Sequence, residues 1–140
     1  ARAFASAAVL DQRIHVVGGE NEAGSLTVNE CYSPADDDGS STPWSIRAPI
    51  LTPSQRGDAV TASGFLMLVG TEATQTRLFL YNGQTDSWSS SEIPLGPLRD
   101  PRVQSIGSKL YIVGGRDESG ASAGVFEYQA ISTVFVPVIP

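Results

Sequence analysis

The side chains that could carry out catalysis or bind a metal ion are few in this sequence. It contains one histidine, His15, and one cysteine, Cys31. A catalytic metal site usually takes several imidazole or thiolate ligands, and a nucleophilic triad needs a histidine at a cleft. His15 instead falls inside the apolar run 14–17, which is predicted to be a buried strand. We therefore expect His15 to be a packed core residue.

Two further motifs have a structural interpretation that outweighs a functional one. Cys31 adjoins Tyr32 on another predicted strand and has no base beside it, which favours a buried structural cysteine over a reactive thiol. The acidic segment 36–39 lacks the spaced ligands and the closing glutamate of a calcium-binding loop, so it is predicted to be a solvated turn. The sequence predicts no catalytic residue, no metal site and no cofactor in this chain.

Composition limits the class of partner. The net charge is -6 and the arginines are scattered, which argues against a surface that tracks nucleic-acid phosphates. No apolar run is long enough to span a bilayer, so a membrane partner is not expected. A single cysteine fits the cytoplasm, although a secreted domain without disulfide bonds stays open. The first residue is Ala1 rather than methionine, which suggests a processed or partial chain.

The elements that must position any site come from a repeat. The run Ile14 to Gly19 recurs as Leu110 to Gly115 and, in altered form, as Leu66 to Thr71. Gly18 and Gly70 are 52 positions apart, and Gly70 and Gly114 are 44 apart, so the repeat unit is roughly 50 residues. Each copy is a continuous apolar run that stops at glycine, as in a strand covered on both faces. The glycines are therefore predicted to end these strands.

The same order of four strands is predicted in every copy. Turn residues separate the apolar runs and no helical periodicity is present, so the fold class is all-β. Tyr81 and Trp88 are seven positions apart, as are Tyr128 and Phe135. Tyr32 and Trp44 are twelve apart, which locates five inserted residues in the polar loop 35–43. The units are predicted at about 1–50, 51–97 and 98–140, within one domain spanning 1–140.

These residues give the chain a resemblance to kelch repeats along its whole length. The matching features are the glycine pair that ends a strand, the tyrosine downstream of it and the large aromatic residue that follows. In this sequence they are Gly18, Gly19, Gly70, Gly114, Gly115, Tyr32, Trp44, Tyr81, Trp88, Tyr128 and Phe135. Three features depart from the pattern. They are Thr71 in place of a second glycine, His15 and Met67 at the position of Tyr111, and Phe135 in place of tryptophan. We expect the individual blades to be weaker there.

The resemblance implies a kelch-type β-propeller with three four-stranded antiparallel blades. The tyrosine and tryptophan of each blade would fill the gap to its neighbour. Propellers have four to eight blades, so three make an incomplete or half propeller. We expect further kelch blades in the same polypeptide, which would then have six or seven. A second copy that completes a dimer of half-propellers is the main alternative.

One rim of such a propeller is the candidate binding surface. Strands alternate in direction, so the residues that lead into the first strand and those that follow the second strand share a rim near the axis. The candidate residues on it are Arg2, Arg56, Arg99, Arg102, Glu20, Asn21, Glu22, Glu72, Arg116, Asp117 and Glu118. The resemblance implies that a protein or peptide partner binds there. Solvated charges and arginine–carboxylate pairs of little energetic weight are the structural alternative.

Two classes of function follow from the resemblance. The first is a non-enzymatic protein or peptide interaction module presented on the propeller rim, which the lack of a catalytic dyad favours. The second is part of a kelch-class enzyme, such as a copper sugar oxidase or a sialic acid epimerase. Because a single buried histidine cannot hold copper, its catalytic residues would have to lie mostly outside this chain.

Overall fold

Residues 1–129 of the chain are described by a computed structural model, and strands account for nearly all of its regular structure. The exception is one 3-10 helix, Pro34–Asp36, in the polar loop. Three larger antiparallel sheets, which we call blades 1 to 3, follow one another along the chain, and two short two-stranded sheets accompany them. The prediction of an all-β chain of antiparallel blades is confirmed. Within residues 1–129, no helix is long and apolar enough to cross a membrane.

Blade 1 has four strands in the order β1-β2-β5-β6, and a two-stranded hairpin of β3 and β4 extends from it. The strands are β1 Ser6–Leu10, β2 Arg13–Val17, β3 Glu20–Asn21, β4 Gly24–Ser25, β5 Asn29–Tyr32 and β6 Trp44–Arg47. Residues 34–42, between β5 and β6, are all exposed. The inserted loop therefore lies where the aromatic spacing predicts it, and it leaves the blade intact.

Blades 2 and 3 continue the pattern with differences in length. Blade 2 consists of β7 Gln55–Ala62, β8 Phe65–Glu72, β9 Gln75–Asn82 and β10 Ser87–Glu92. Blade 3 consists of β11 Arg102–Ile106, β12 Lys109–Val113 and β15 Val125–Gln129, with the hairpin β13 Arg116–Asp117 and β14 Gly120–Ala121. The strand predicted around Phe135 lies outside the described residues.

The glycine pairs end their strands in blades 1 and 3. Gly18 and Gly19 have φ of +66° and +95°, and Gly114 and Gly115 have +65° and +94°. A residue with a side chain is strained at such positive φ values. A Cβ on Gly19 would also come within 2.7 Å of the Ala3 carbonyl oxygen. The positive φ values turn the chain out of the sheet and start the short hairpin.

In blade 2 the prediction that glycine ends the strand is wrong. Gly70 has no positive φ, and β8 continues through it to Glu72. Thr71 is buried, and its Oγ1 donates a hydrogen bond to the Leu98 carbonyl at 2.7 Å and accepts one from the Leu98 N–H at 3.2 Å. The residue that departs from the repeat thus joins blade 2 to the segment that leads into blade 3.

Two apolar clusters hold the blades face to face. The cluster between blades 1 and 2 contains Leu10, Val17, Ile50, Leu66, Leu68, Phe79 and Tyr81. The cluster between blades 2 and 3 contains Ala62, Met67, Val69, Leu78, Ile93, Leu98, Val103, Leu110 and Ile112. Because both faces of blade 2 are covered, its central strands are continuous apolar runs rather than alternating ones.

The first strands of the three blades lie side by side and are joined by hydrogen bonds. The Thr61 hydroxyl of β7 donates to the Val9 carbonyl of β1 at 2.5 Å. The Ser105 hydroxyl of β11 donates to the Thr61 carbonyl at 3.1 Å. Asp58 in β7 accepts the Val103 N–H of β11 at 2.9 Å. These bonds fix the first strands relative to one another, and the residues of the candidate rim lie just before these strands.

The aromatic pair fills the space between blades 1 and 2, as predicted. Tyr81 and Trp88 are cross-strand partners with ring centroids 5.0 Å apart, and the Trp88 indole N–H donates to the Ala48 carbonyl of blade 1 at 2.8 Å. The matching pair of blade 1, Tyr32 and Trp44, has centroids 5.1 Å apart. Trp44 remains 48% exposed, since no described residue covers that face of blade 1.

Candidate functional site

One position before the first strand of each blade has the same unusual backbone in all three repeats. Phe4, Arg56 and Asp100 each lie 14 positions before the first glycine of their repeat, and their φ values are +56°, +45° and +52°. Non-glycine residues rarely take this conformation, and it costs about 1 to 2 kcal/mol. The strain brings three unrelated side chains to the same end of the stack of blades.

These three side chains form a continuous row across the blades. The Arg56 guanidinium carbon lies 4.0 Å from the centroid of the Phe4 ring. The same guanidinium has a nitrogen 3.8 Å from a carboxylate oxygen of Asp100. Arg56 therefore connects blade 1 to blade 3 through a cation–π contact on one side and an ion pair on the other.

A cavity of about 470 Å³ opens beside this row, and we call it the arginine cavity. It is lined by Glu20, Arg56, Arg99, Asp100 and Arg116. Its walls thus carry three guanidinium groups and two carboxylates, a formal charge of +1 in a chain whose net charge is -6. The sequence predicts four of the five residues for the rim, and the structure brings those four together.

The backbone holds the walls of the cavity in place. Arg99 and Arg116 exchange two hydrogen bonds, with N···O distances of 2.8 and 2.7 Å. Ala3 and Glu20 do the same in blade 1, at 2.9 and 2.8 Å. Each bridge ties the residue before the strained position to the start of the short hairpin. This arrangement fixes the directions in which Glu20, Arg99 and Arg116 leave the backbone.

Other predicted rim residues border neighbouring depressions. Arg102 lines a cavity of about 270 Å³ together with Phe4, Arg56 and Asp100. Asp117 and Glu118 line one of about 440 Å³, which they share with Arg99 and Arg116. Arg99 and Arg116 therefore line both the arginine cavity and this depression, which adds two carboxylates.

Four of the predicted rim residues lie away from the arginine cavity. Arg2 donates to the carbonyls of Gly18 and Val16, at 3.2 and 3.3 Å, and forms an ion pair with Glu30 in blade 1. Glu72 forms an ion pair with Arg77. Asn21 and Glu22, exposed in the first short hairpin, border a separate depression beside Arg2.

Sequence reasoning missed Phe4 and Asp100, which complete the row with Arg56. Their types differ, so no motif indicates them. The available signal is positional, because alignment of the three repeats on Gly18, Gly70 and Gly114 puts both in register with Arg56.

His15 is a packed core residue, as predicted, and it belongs to a polar network within blade 1 that lies against Tyr81 of blade 2. Its Nδ1 lies 3.1 Å from Asn29 Oδ1, and its Nε2 lies 3.6 Å from the Cys31 sulfur. Because the Asn29 amide nitrogen donates to the Ala48 carbonyl, Asn29 Oδ1 must accept, so Nδ1 carries the proton and Nε2 accepts from the thiol. Burial lowers the pKa of His15 below its usual 6.5.

The same three residue types occur in cysteine nucleophile sites, but here a substrate cannot reach them. His15 is 4% exposed and Cys31 is 1% exposed, and the Tyr81 ring of blade 2 lies 5.2 Å from the imidazole, measured between centroids. Within residues 1–129, no three His, Cys, Asp or Glu side chains converge closely enough to hold a metal ion.

The stacked blades, the glycine turns and the aromatic pairs agree with one comparison among known proteins. Kelch-like protein 35 of Mus musculus is 29% identical to this chain over 118 residues, which make up 83% of the chain and 19% of the mouse protein. This match supports the resemblance of the chain to kelch repeats. No family model matches the chain. The chain spans about a fifth of the length of that relative.

Proposed function

We propose that this chain is a non-enzymatic interaction module that presents the arginine-cavity end of its kelch blades to a protein or peptide partner. The arginine cavity carries the proposal, because it gathers charged side chains from all three blades at one end of the stack. A protein-interaction role is typical of kelch proteins. The candidate surface comprises the arginine cavity and the adjoining cavity beside Arg102.

The charges at this end contribute little to the fold, which supports a binding role. Arg56 is only 3.9 Å from Glu20 and 3.8 Å from Asp100, and all three side chains are about a third exposed or more. Exposed pairs of this kind are worth about 0 to 1 kcal/mol. These arginines add little to the free energy of unfolding, so their charges are available to bind a partner.

We propose also that further blades cover the two outward faces, in the same polypeptide or in a second copy. On blade 1 the cross-strand row consists of Val9, Ile14, Tyr32 and Trp44, whereas the corresponding Leu66 and Tyr81 of blade 2 are buried against blade 1. On blade 3, Val113 and Val125 are exposed, although Val69 and Leu78 at the same positions in blade 2 are buried. The outward faces thus carry the residue types that form the contacts between blades.

Paired charge removals at opposite ends of the blades test the rim proposal. Arg56→Ala with Arg102→Ala removes two charges from the candidate surface. Arg13→Ala with Lys109→Ala removes two charges from exposed positions beside the turns at the opposite end. We expect the first pair to lose captured partners and the second to retain them, although the first pair also loses the Arg56–Phe4 contact and should unfold about 2 to 4 °C lower. Equal retention of partners by both pairs would contradict the rim assignment.

Light scattering and a hydrophobic dye test the outward faces. Exposed apolar patches beyond a few hundred Å² are interaction sites or aggregation liabilities. We expect the isolated 140-residue chain either to self-associate or to bind the dye, and Trp44→Glu to reduce both effects. A soluble monomer that unfolds cooperatively and binds no dye would show that these faces need no cover.

A further inference from the structure

We propose that a separate cavity, beside the short hairpin of blade 3, binds a lysine side chain of the protein partner. This cavity, which we call the hairpin cavity, has a volume of about 320 Å³ and lies between the segment that enters blade 3 and the hairpin of β13 and β14. The residues that carry the argument are the apolar Leu95, Pro97, Leu98 and Phe126 and the acidic Asp117 and Glu118. The inference rests on the proposed function and adds to it the chemical class of a group that the partner presents.

The apolar part of the hairpin cavity is not filled by the chain itself. Alignment of Tyr128 with Tyr81 puts Phe126 at the position of Phe79 in blade 2. Phe79 is fully buried between blades 1 and 2, whereas Phe126 is 36% exposed. A Cβ on Gly96 would meet no atom within 4 Å, so the entering segment also leaves space here. An aliphatic chain could therefore lie against the Phe126 ring without displacing anything.

A further blade would not cover this ring. Phe126 is the cross-strand partner of Ile112, and Ile112 is buried in the cluster between blades 2 and 3. Cross-strand partners lie on the same face of a sheet, so Phe126 faces blade 2 and not the outward side of blade 3. The hairpin cavity is thus distinct from the outward faces, and its occupant has to enter from the end of the blades.

The two carboxylates of the hairpin cavity are available to a cation. Asp117 Oδ1 accepts hydrogen bonds from the N–H and the hydroxyl of Ser119, at 2.8 and 2.5 Å, and no described group donates to its Oδ2. The bonds from Ser119 lower the pKa of Asp117, so this carboxyl group is charged at neutral pH. Within residues 1–129, neither Asp117 nor Glu118 forms an ion pair. This holds although they share a depression with Arg99 and Arg116.

The combination of an apolar floor and two carboxylates favours lysine. Among the described residues that line the cavity there is no basic side chain, so its walls carry a formal charge of -2. A purely apolar ligand would remove water from both carboxylates without giving them a partner, which costs free energy. The stem of a lysine packs on apolar surface while its compact ammonium, with three donors, stays near water and can reach two separate acceptors. The net charge of -6 also favours a cationic group.

Backbone NMR tests the proposal even if binding is weak. The full chain is titrated with a short peptide that has one lysine between glycine and serine residues, and with the same peptide carrying norleucine, which keeps the aliphatic stem without the ammonium. We expect saturable shifts of the amide signals of Gly96, Ser119 and Phe126 with the lysine peptide. The norleucine peptide should bind about fivefold more weakly.

Two variants and a matched control sharpen the test. Gly96→Leu places a side chain at the open space and should abolish saturable binding. Glu118→Gln removes one carboxylate and should weaken binding about two- to fivefold. Glu22 follows Gly19 in the hairpin of blade 1 by the same number of positions as Glu118 follows Gly115, so Glu22→Gln is the control and should leave binding unchanged. Amide spectra that match the wild type away from the substitution establish that each variant is folded.

Three results would overturn the inference. They are the absence of saturable shifts at these amides, equal binding of the norleucine peptide, and unchanged binding by Glu118→Gln. If the Arg56 and Arg102 double variant loses its partner while the lysine peptide does not bind, the lysine site is wrong and the interaction surface stands. If the lysine peptide binds while that double variant keeps its partner, the rim assignment is wrong and the lysine site stands.

Discussion

Arg56 lies over the ring of Phe4, with its guanidinium carbon 4.0 Å from the ring centroid, although 52 positions separate the two residues. Both residues have a positive φ and stand at the same position of successive repeats. The contact therefore joins two blades at the end of the stack where the arginine cavity opens.

This cation–π contact should be measurable by a double-mutant cycle. Phe4 is 52% exposed, and partly exposed pairs of this kind contribute about 0.5 to 1 kcal/mol. We expect Phe4→Leu and Arg56→Gln to show a coupling of that size in urea unfolding. Additive effects would show that the two side chains do not interact in solution.

The polar network around His15 should make stability depend on pH. Burial lowers the pKa of His15, so the unfolded chain binds its proton at a higher pH than the native chain does. Stability is therefore fully present above about pH 6.5 and falls as the pH drops below it, by at most about 1.4 kcal/mol per pH unit. Denaturant unfolding between pH 5 and pH 8 measures this slope.

The charges that face His15 define the control for that experiment. Arg47 and Arg13 oppose its protonation and Asp11 favours it, while Asp86 is held by Tyr81 and by the Ala48 N–H. His15→Met introduces the residue that blade 2 has at this position and removes the titrating group. Its pH profile should be flatter than that of the wild type, and parallel profiles would contradict the assignment.

The two tryptophans should differ in their effect on stability. Trp88→Phe removes the indole donor to the Ala48 carbonyl and part of the contact between blades 1 and 2, so we expect a loss of about 1 to 2 kcal/mol. Trp44→Phe makes the same change at a half-exposed site and should cost less than about 0.5 kcal/mol. Chemical denaturation of both variants decides the matter, and equal losses would mean that Trp88 does not hold the interface.

Restoring the repeat at Thr71 should destabilise the chain. Thr71→Gly gives blade 2 the second glycine that blades 1 and 3 have at this position. It also removes a buried hydroxyl that makes two hydrogen bonds with the backbone of Leu98. We expect a loss of about 1 to 3 kcal/mol in thermal or denaturant unfolding. Thr71→Ser keeps the hydroxyl and should retain most of the stability, whereas a stabilised glycine variant would show that these bonds are dispensable.

Thr71 also illustrates what the sequence could and could not predict about the fold. The apolar runs, the glycine pairs and the Tyr81–Trp88 spacing depend on local geometry, so they predict the strands and the contacts between blades. The continuation of β8 through Gly70 depends on a contact with Leu98, 27 positions away, which no local pattern reveals. Tertiary contacts of this kind override the propensity of a short segment.

The sequence likewise predicts part of the candidate site, namely which residues lie at the same end of the stack of blades. Strand direction alone predicts that Arg56, Arg99 and Arg116 share an end of the stack. It does not predict the direction of a long side chain, and Arg2 binds carbonyls of its own blade instead. Phe4 and Asp100 were not predicted because the two residues share a backbone conformation with Arg56 but not a side-chain type. A sequence motif shows side-chain types and not backbone conformation.

The bonds at Ala48 also restrict which blade can be the neighbour of which. Where blade 2 contacts blade 1, the Trp88 indole N–H donates to the Ala48 carbonyl, and the Asp86 carboxylate accepts the Ala48 N–H. Polar groups lose partners of this kind when the wrong surface docks. During folding, when similar repeats compete for the same face, these two bonds would penalise a misordered stack and favour the native sequence of blades.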